Sequence, residues 1–311
     1  MNALAASRRA ADGTGVARLQ VLAAAVCFGT TGTAQQLLRP EGASTLAVGA
    51  ARIILGGALL VGLARGGSLA LVRAAWPLLL LGGLGVAIYQ TSFFAAVDLT
   101  GVAVGTVVAI GSGPAIAGLL SRLVNGERLT ARWTVATALA AVGVAVLALT
   151  AGEDASVEPV GIVLAVLAGG GYASYTVIAK RLLDRGHAPE QVMAATFGTG
   201  GLILVPVLLL SGTSWLADPE GLGLVLYLAT VPTALAYALF ARGLRNLGAG
   251  ETATLVLAEP VTALVLGAVV LGERPGVGAV TGGLLVMGGL LVLALPGGRR
   301  RTTLLAPEVQ P

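Results

Sequence analysis

The chain has 311 residues, of which 56% are apolar and 11% are charged, and its formal net charge is +4. A soluble domain covers its surface with roughly 25% charged residues, so this composition excludes a soluble fold and predicts an integral membrane protein. One His and one Cys exclude metal clusters and disulfide frameworks by count.

Ten apolar runs follow one another along the chain, each about as long as a helix needs to cross roughly 30 Å of hydrocarbon. Their approximate ranges are 19–38, 44–64, 75–97, 101–124, 132–151, 159–179, 191–211, 221–241, 247–271 and 276–296. The connections are short, which predicts an all-α integral membrane protein without a soluble domain. Residues 1–18 and 297–311 are expected to be cytoplasmic tails.

The basic residues indicate the orientation. With the N-terminus in the cytoplasm, sixteen of the nineteen fall on the cytoplasmic side, whereas Arg39 and Arg274 lie outside and Arg52 lies inside the second run. Positive residues collect on the cytoplasmic side of membrane proteins. We therefore expect a multi-pass plasma-membrane protein, in contact with lipid, with both termini cytoplasmic. The basic residues follow the spans without interleaved aromatics, so no nucleic-acid partner is expected.

An internal repeat divides the chain. Gly-Glu-Arg occurs at 126–128 and again 146 residues later, at 272–274. Other pairs share this offset: Phe94 with Phe240, and Pro114 with Pro260. The halves are 19–151 and 159–296, with five runs each. Because five is odd, the second half enters the membrane from the opposite side, which predicts two inverted repeats around a shared site near the midplane.

Ten spans in two halves, each with a proline in its fourth helix and the Glu of Gly-Glu-Arg thirteen residues later, resemble the EamA family of the drug/metabolite transporter superfamily. The resemblance covers about residues 19–297. It implies two EamA repeats of five helices and a central cavity between them. It also implies a secondary transporter of small metabolites, often an exporter of amino acids or related compounds.

We therefore expect a transporter that exports a small metabolite, such as an amino acid or a related compound, by alternating access. No ATP-binding loop is present, so transport is facilitated or coupled to an ion such as the proton. Two alternatives remain: an integral membrane enzyme acting on lipids, and a transporter of this fold that takes up sugar phosphates or nucleotides. The spans contain neither paired acids nor a His beside an acid, so we expect no enzyme, no metal and no cofactor. Oligomeric state is left open.

Two charged residues inside the spans are the leading site candidates. Glu259 lies near mid-depth, where a carboxylate is costly and is usually functional or paired. It would bind an amino group of the substrate or accept a proton, or it would form a structural ion pair with Arg52. Arg52 would bind a carboxylate or phosphate, or would hold helices together through carbonyls or Glu251.

Other candidates are polar, aromatic or helix-breaking. Tyr offers an apolar face with a hydroxyl, which suits a cavity of mixed polarity as well as ordinary packing. A mid-span proline frees a backbone carbonyl, and such breaks in both halves point to a binding site or to packing kinks. The residues are Tyr89, Tyr175, Ser112, Thr31 and Glu251, with helix breaks at Pro114 and Pro260. Glu127 and Glu273 of the repeated motif are interpreted as helix-end elements near a gate.

Overall fold

The computed structural model describes residues 2–38, 40–64, 67–150 and 158–294, and these contain ten helices long and apolar enough to cross a membrane. The helices are α1 Gly13–Leu37, α2 Thr45–Leu63, α3 Gly67–Gly101, α4 Val104–Asn125, α5 Ala131–Leu149, α6 Pro159–Asp184, α7 Pro189–Leu210, α8 Pro219–Asn246, α9 Ala249–Val270 and α10 Val277–Ala294. No strand occurs within these ranges. The expected all-α class and the ten spans are confirmed, whereas the tail expected at 297–311 lies outside the described residues.

Local sequence sets most helix starts. Ser44 and Thr130 accept hydrogen bonds from the backbone N–H groups of Ala47 and Trp133, each over 3.1 Å, and so cap α2 and α5. The first residues of α6, α7 and α8 are prolines, which tolerate this position because its N–H has no helical partner. Two starts differ clearly from the sequence expectation. Helix α1 begins at Gly13 and α3 at Gly67, six and eight residues before their apolar runs.

A glycine in the left-handed conformation begins each copy of the repeated motif and ends the helix before it. Gly126 has φ 70° and Gly272 has φ 71°. The following N–H groups donate to carbonyls six residues earlier: Glu127 to Ser121 over 3.4 Å, and Glu273 to Gly267 over 3.0 Å. Only glycine adopts this conformation without steric cost, so each Gly-Glu-Arg closes a helix in the same way.

The eighth helix contains a π-turn, at Thr230–Leu235. Pro232 has no N–H to give the carbonyl of Leu228, four residues earlier. The buried hydroxyl of Thr233 replaces it and donates to that carbonyl over 2.7 Å. The turn packs on α2, where a Cβ on Gly56 would meet the Thr233 side chain. A side-chain donor therefore satisfies the backbone group that the proline frees inside the bundle.

The packing follows the two repeats. Helix α2 packs on its counterpart α7, and α5 packs on its counterpart α10. In the α5–α10 crossing, a Cβ on Gly143 would lie 2.7 Å from the Gly282 carbonyl oxygen, and the converse distance is the same. Helix α6 packs on α3 and α4. Its counterpart α1 packs in the same way on α8 and α9, which are the counterparts of α3 and α4. This pattern fits the inverted repeat of an EamA fold and puts the fourth helix of each half at the centre.

Candidate substrate site

A small central cavity lies where α3, α4, α6 and α9 meet. Its volume is about 30 Å³, which is room for about one water molecule. It is lined by Tyr89, Ala109, Ile110, Gly113, Pro114, Tyr172, Ala253, Val256, Leu257 and Glu259. Both repeats contribute to this lining, as the inverted repeat predicts.

The two repeated prolines act on this cavity through the backbone. A proline leaves the carbonyl four residues earlier without its helical donor. Those carbonyls belong to Ile110 and Val256, which are equivalent in the repeat and both line the cavity. Helix α9 leaves helical geometry next to Pro260, at Leu257, whereas α4 remains helical through Pro114. The break expected at Pro114 is therefore not seen, and the one at Pro260 is.

Glu259 is the charged residue in the lining. Its side chain is half-buried, and among the described residues no cation lies within 4 Å of its carboxylate. Gly113 stands at the equivalent position of the first repeat, where a Cβ would lie 3.2 Å from the ring of Tyr172. One repeat thus supplies an acid, and the other supplies space for an aromatic ring.

Arg52 lies close enough to Glu259 to interact electrostatically but forms no ion pair with it. Its Nη2 donates to Oε1 of Gln90 over 3.2 Å. Its Nε is buried and has no hydrogen-bond partner in the described structure. Gly49 of α2 leaves room for Gln90, since a Cβ there would overlap the amide. The Arg52–Glu259 ion pair, one of the alternatives that the sequence left open, is therefore not formed in the described structure.

Aromatic side chains surround these charges. Tyr89 and Tyr172 line the cavity with ring centroids 6.2 Å apart. Close approach of α3 and α6 brings them together, because a Cβ on Gly171 would lie 2.8 Å from the Tyr89 backbone nitrogen. Tyr175 is buried behind them, and its hydroxyl lies 3.1 Å from that of Tyr237.

Phe28 and Phe197 complete this aromatic cluster. Their ring centroids lie 4.9 and 3.9 Å from that of Tyr237. No motif or charge in the sequence singles out Phe28 or Phe197. Their positions inside apolar runs were visible, but which face of each helix points to the centre depends on helix packing.

Three other sequence candidates lie away from the lining of the central cavity. The Ser112 hydroxyl lies 3.3 Å from the Ala109 carbonyl oxygen and packs against Gly169 of α6. Thr31 lies on α1 beside residues that line a different recess. Glu251 forms an ion pair with Arg18, with 2.8 Å between Oε1 and Nε.

A recess opens on each face of the bundle. The N-terminal face is the one where α1 begins, and one of its recesses, here called the N-terminal recess, has a volume of about 450 Å³. The opposite recess has a volume of about 660 Å³. Glu127 lines the first and Glu273 lines the second, as expected for equivalent parts of an inverted repeat. Neither copy of the motif lines the central cavity.

These features define a membrane protein of ten helices whose two inverted halves enclose a cavity with a carboxylate. The model of the EamA-like transporter family matches residues 16–149 and 159–295, and the chain belongs to this family.

Similar proteins are named as transporters. The uncharacterized transporter YwfM of Bacillus subtilis (strain 168) is 40% identical over 285 residues, which are 91% of this chain and 95% of the relative. An uncharacterized transporter of Archaeoglobus fulgidus is 29% identical over 215 residues, 67% of this chain and 74% of the relative. A crystal structure superposes with a TM-score of 0.77 at 23% identity, covering 89% of this chain and 96% of that one, which shows the fold. These names support a membrane transporter.

Proposed function

We propose that this protein is a secondary transporter that exports an amino acid or a related compound across the plasma membrane, with both termini in the cytoplasm. One observation carries the proposal: Glu259 and Arg52 bear opposite charges at the centre of the bundle and are not paired with each other. Separated charges at this depth are costly, so a ligand that neutralises both would bind favourably.

A zwitterion fits these two charges. The ammonium group would bind the Glu259 carboxylate, and the carboxylate would accept hydrogen bonds from Arg52, whose Nε has no partner. The whole complex then carries no net charge, which suits a site far from water. Tyr89 and Tyr172 would contact the apolar part of the substrate.

Alternating access would deliver the substrate to this site. The cavity, at about 30 Å³, is too small for an amino acid, and recesses approach it from both faces. We infer that the helices separate on one face at a time and enlarge the cavity from that side.

Flux through proteoliposomes tests the proposal. Liposomes containing the purified protein would be assayed with radiolabelled amino acids, their amides, the corresponding amines and sugar phosphates. We expect flux of at least one amino acid and its loss in Glu259→Gln. A matched control is Glu190→Gln, because Glu190 forms its ion pair with Arg242 near a helix start, away from the cavity.

Several outcomes contradict the proposal. Selective flux of sugar phosphates would support the alternative substrate class, and flux of no compound would reject transport of these substrates. Direction is tested separately with inverted and right-side-out membrane vesicles. Export predicts accumulation inside inverted vesicles.

A further inference from the structure

The carboxylate of Glu127 joins two helices on the N-terminal face. Both of its oxygens lie within hydrogen-bond distance of the Ala249 backbone N–H, Oε1 at 3.0 Å and Oε2 at 3.1 Å. Ala249 is fully buried and is the first residue of α9. A carboxylate at a helix N-terminus satisfies a free N–H and interacts favourably with the helix dipole. Glu127, which follows α4, therefore holds the start of α9.

Gly248 makes this contact possible. A Cβ at Gly248 would lie 2.7 Å from Glu127 Oε2, closer than any real contact. The residue has φ −71° and ψ 153°, which other residues adopt freely. Glycine therefore leaves space here for the Glu127 carboxylate and is not needed for the backbone conformation. An added methyl group would displace the Glu127 carboxylate without changing any charge.

The held segment lies between the N-terminal recess and the central cavity. Gly250 lines the recess, and Ala253, three residues later, lines the cavity. Between them α9 packs closely on α4 and α5, since a Cβ on Gly250 would lie 3.0 Å from the Gly118 Cα and 3.1 Å from Trp133 Nε1. One helical turn of α9 thus separates the two spaces.

The same segment also carries the site. Helix α9 runs unbroken from Ala249 to Val256, and its break at Leu257 lies two residues before Glu259. Movement of the start of α9 therefore displaces the cavity wall and changes the position of the acid.

We propose that Glu127 is a positioning residue that latches the start of α9 across the N-terminal face, and that release of its carboxylate from Ala249 opens the path from the N-terminal recess to the cavity. The inference rests on the alternating access proposed above. Glu273, the equivalent residue, lies on the opposite face, where its carboxylate approaches Gly267 of its own helix. It serves as a matched comparison.

Cysteine labelling tests the latch without any substrate. Cys27 is the only cysteine, so Cys27→Ala gives a background in which Ala253→Cys reports on access to the cavity. A membrane-impermeant thiol reagent would be added from the N-terminal face. A charge-assisted hydrogen bond is about twice as strong as a neutral one, so Glu127→Gln should raise the labelling rate roughly three- to tenfold.

Two further variants make the result specific. Gly248→Ala should raise the labelling rate of Ala253→Cys by a similar factor. The double variant Glu127→Gln/Gly248→Ala should be labelled little faster than either single variant, because both changes break the same contact. Glu273→Gln and Glu190→Gln should stay at or below the parental rate. Size-exclusion profiles verify that each variant is folded.

Parental labelling rates in both folded Glu127→Gln and folded Gly248→Ala would overturn the latch. Equal increases in all variants, Glu190→Gln included, would also overturn it, because they would indicate general loosening. If labelling behaves as expected and no compound is transported, the latch stands and the proposed function fails.

Discussion

Arg52 of α2 donates a hydrogen bond from Nη2 to Oε1 of Gln90 on α3 over 3.2 Å. This bond holds the guanidinium beside the aromatic cluster. The Nε of Arg52 has no hydrogen-bond partner in the described structure. A buried donor without a partner is destabilising. The arrangement is explained if the partner is a substrate group present only during part of the transport cycle.

The first prediction concerns Arg52. Arg52→Lys keeps the charge but loses the planar set of donors that binds a carboxylate through two hydrogen bonds. We expect roughly tenfold weaker binding of amino acids with little change for the corresponding amines. Thermal shift of the purified protein with each compound measures this difference. Equal weakening for both classes would contradict carboxylate binding at Arg52.

The second prediction concerns Glu259 and flux. Glu259→Gln leaves Arg52 as an uncompensated charge and removes the acceptor for an ammonium group. We expect at least about a 30-fold loss of amino-acid flux in proteoliposomes, as is typical when one partner of a buried charged contact is removed. Glu190→Gln, on the exposed pair with Arg242, should retain parental flux.

The third prediction separates substrate binding from proton coupling. If Glu259 also carries a coupling proton, parental flux should change between about pH 5 and about pH 8, and any residual flux of Glu259→Gln should not. Flux against a substrate gradient, driven by an imposed proton gradient, provides an independent measurement. Identical pH profiles for parent and variant would exclude this role of Glu259.

The fourth prediction concerns the two left-handed glycines. Gly126→Ala and Gly272→Ala force a side chain into positive φ, which costs about 1–2 kcal/mol each. The apparent melting temperature of both variants should fall. Gly223→Ala is the control, because Gly223 lies in α8 with no heavy atom within 4 Å of an added Cβ. It should be neutral or slightly stabilising.

The fifth prediction concerns the α5–α10 crossing. A Cβ at Gly282 would lie 2.6 Å from the Leu147 backbone nitrogen, so Gly282→Val must separate the helices. Gly288 lies on the same helix, where a Cβ would be 3.5 Å from a Leu139 side-chain carbon. We expect fluorescence-detected size exclusion to show loss of folded protein for Gly282→Val only. Comparable loss in both variants would mean that the close crossing is not decisive.

Much of the fold could be predicted because it depends on local pattern. The lengths of apolar runs predicted ten helices, and the repeated Gly-Glu-Arg located the ends of α4 and α9. Helix limits were less accurate: α3 starts at Gly67, and residues 2–12 continue α1 as a helix where a polar tail was expected. A helix can continue into polar sequence, so hydropathy alone does not fix its end.

The site was only partly predictable, because it depends on which helix faces meet. Depth in the span indicated Glu259, and this residue lies in the lining of the central cavity. The partner of Arg52 is Gln90, and that choice depends on the close approach permitted by Gly49, which no spacing within one helix indicates. Likewise, Pro114 predicted a break that α4 does not show.

The π-turn of α8 bears on how the two halves diverged. The repeats run 144 residues apart at Ala50 and Ala194 but 146 apart at Phe94 and Phe240, so two residues were gained or lost between these points. A π-turn accommodates one additional residue within a continuous helix. With Thr233 closing the backbone gap, α8 stays continuous through this additional residue. Residues after such a turn are rotated by about 100° around the helix, so the π-turn sets the face on which Tyr237 meets the hydroxyl of Tyr175.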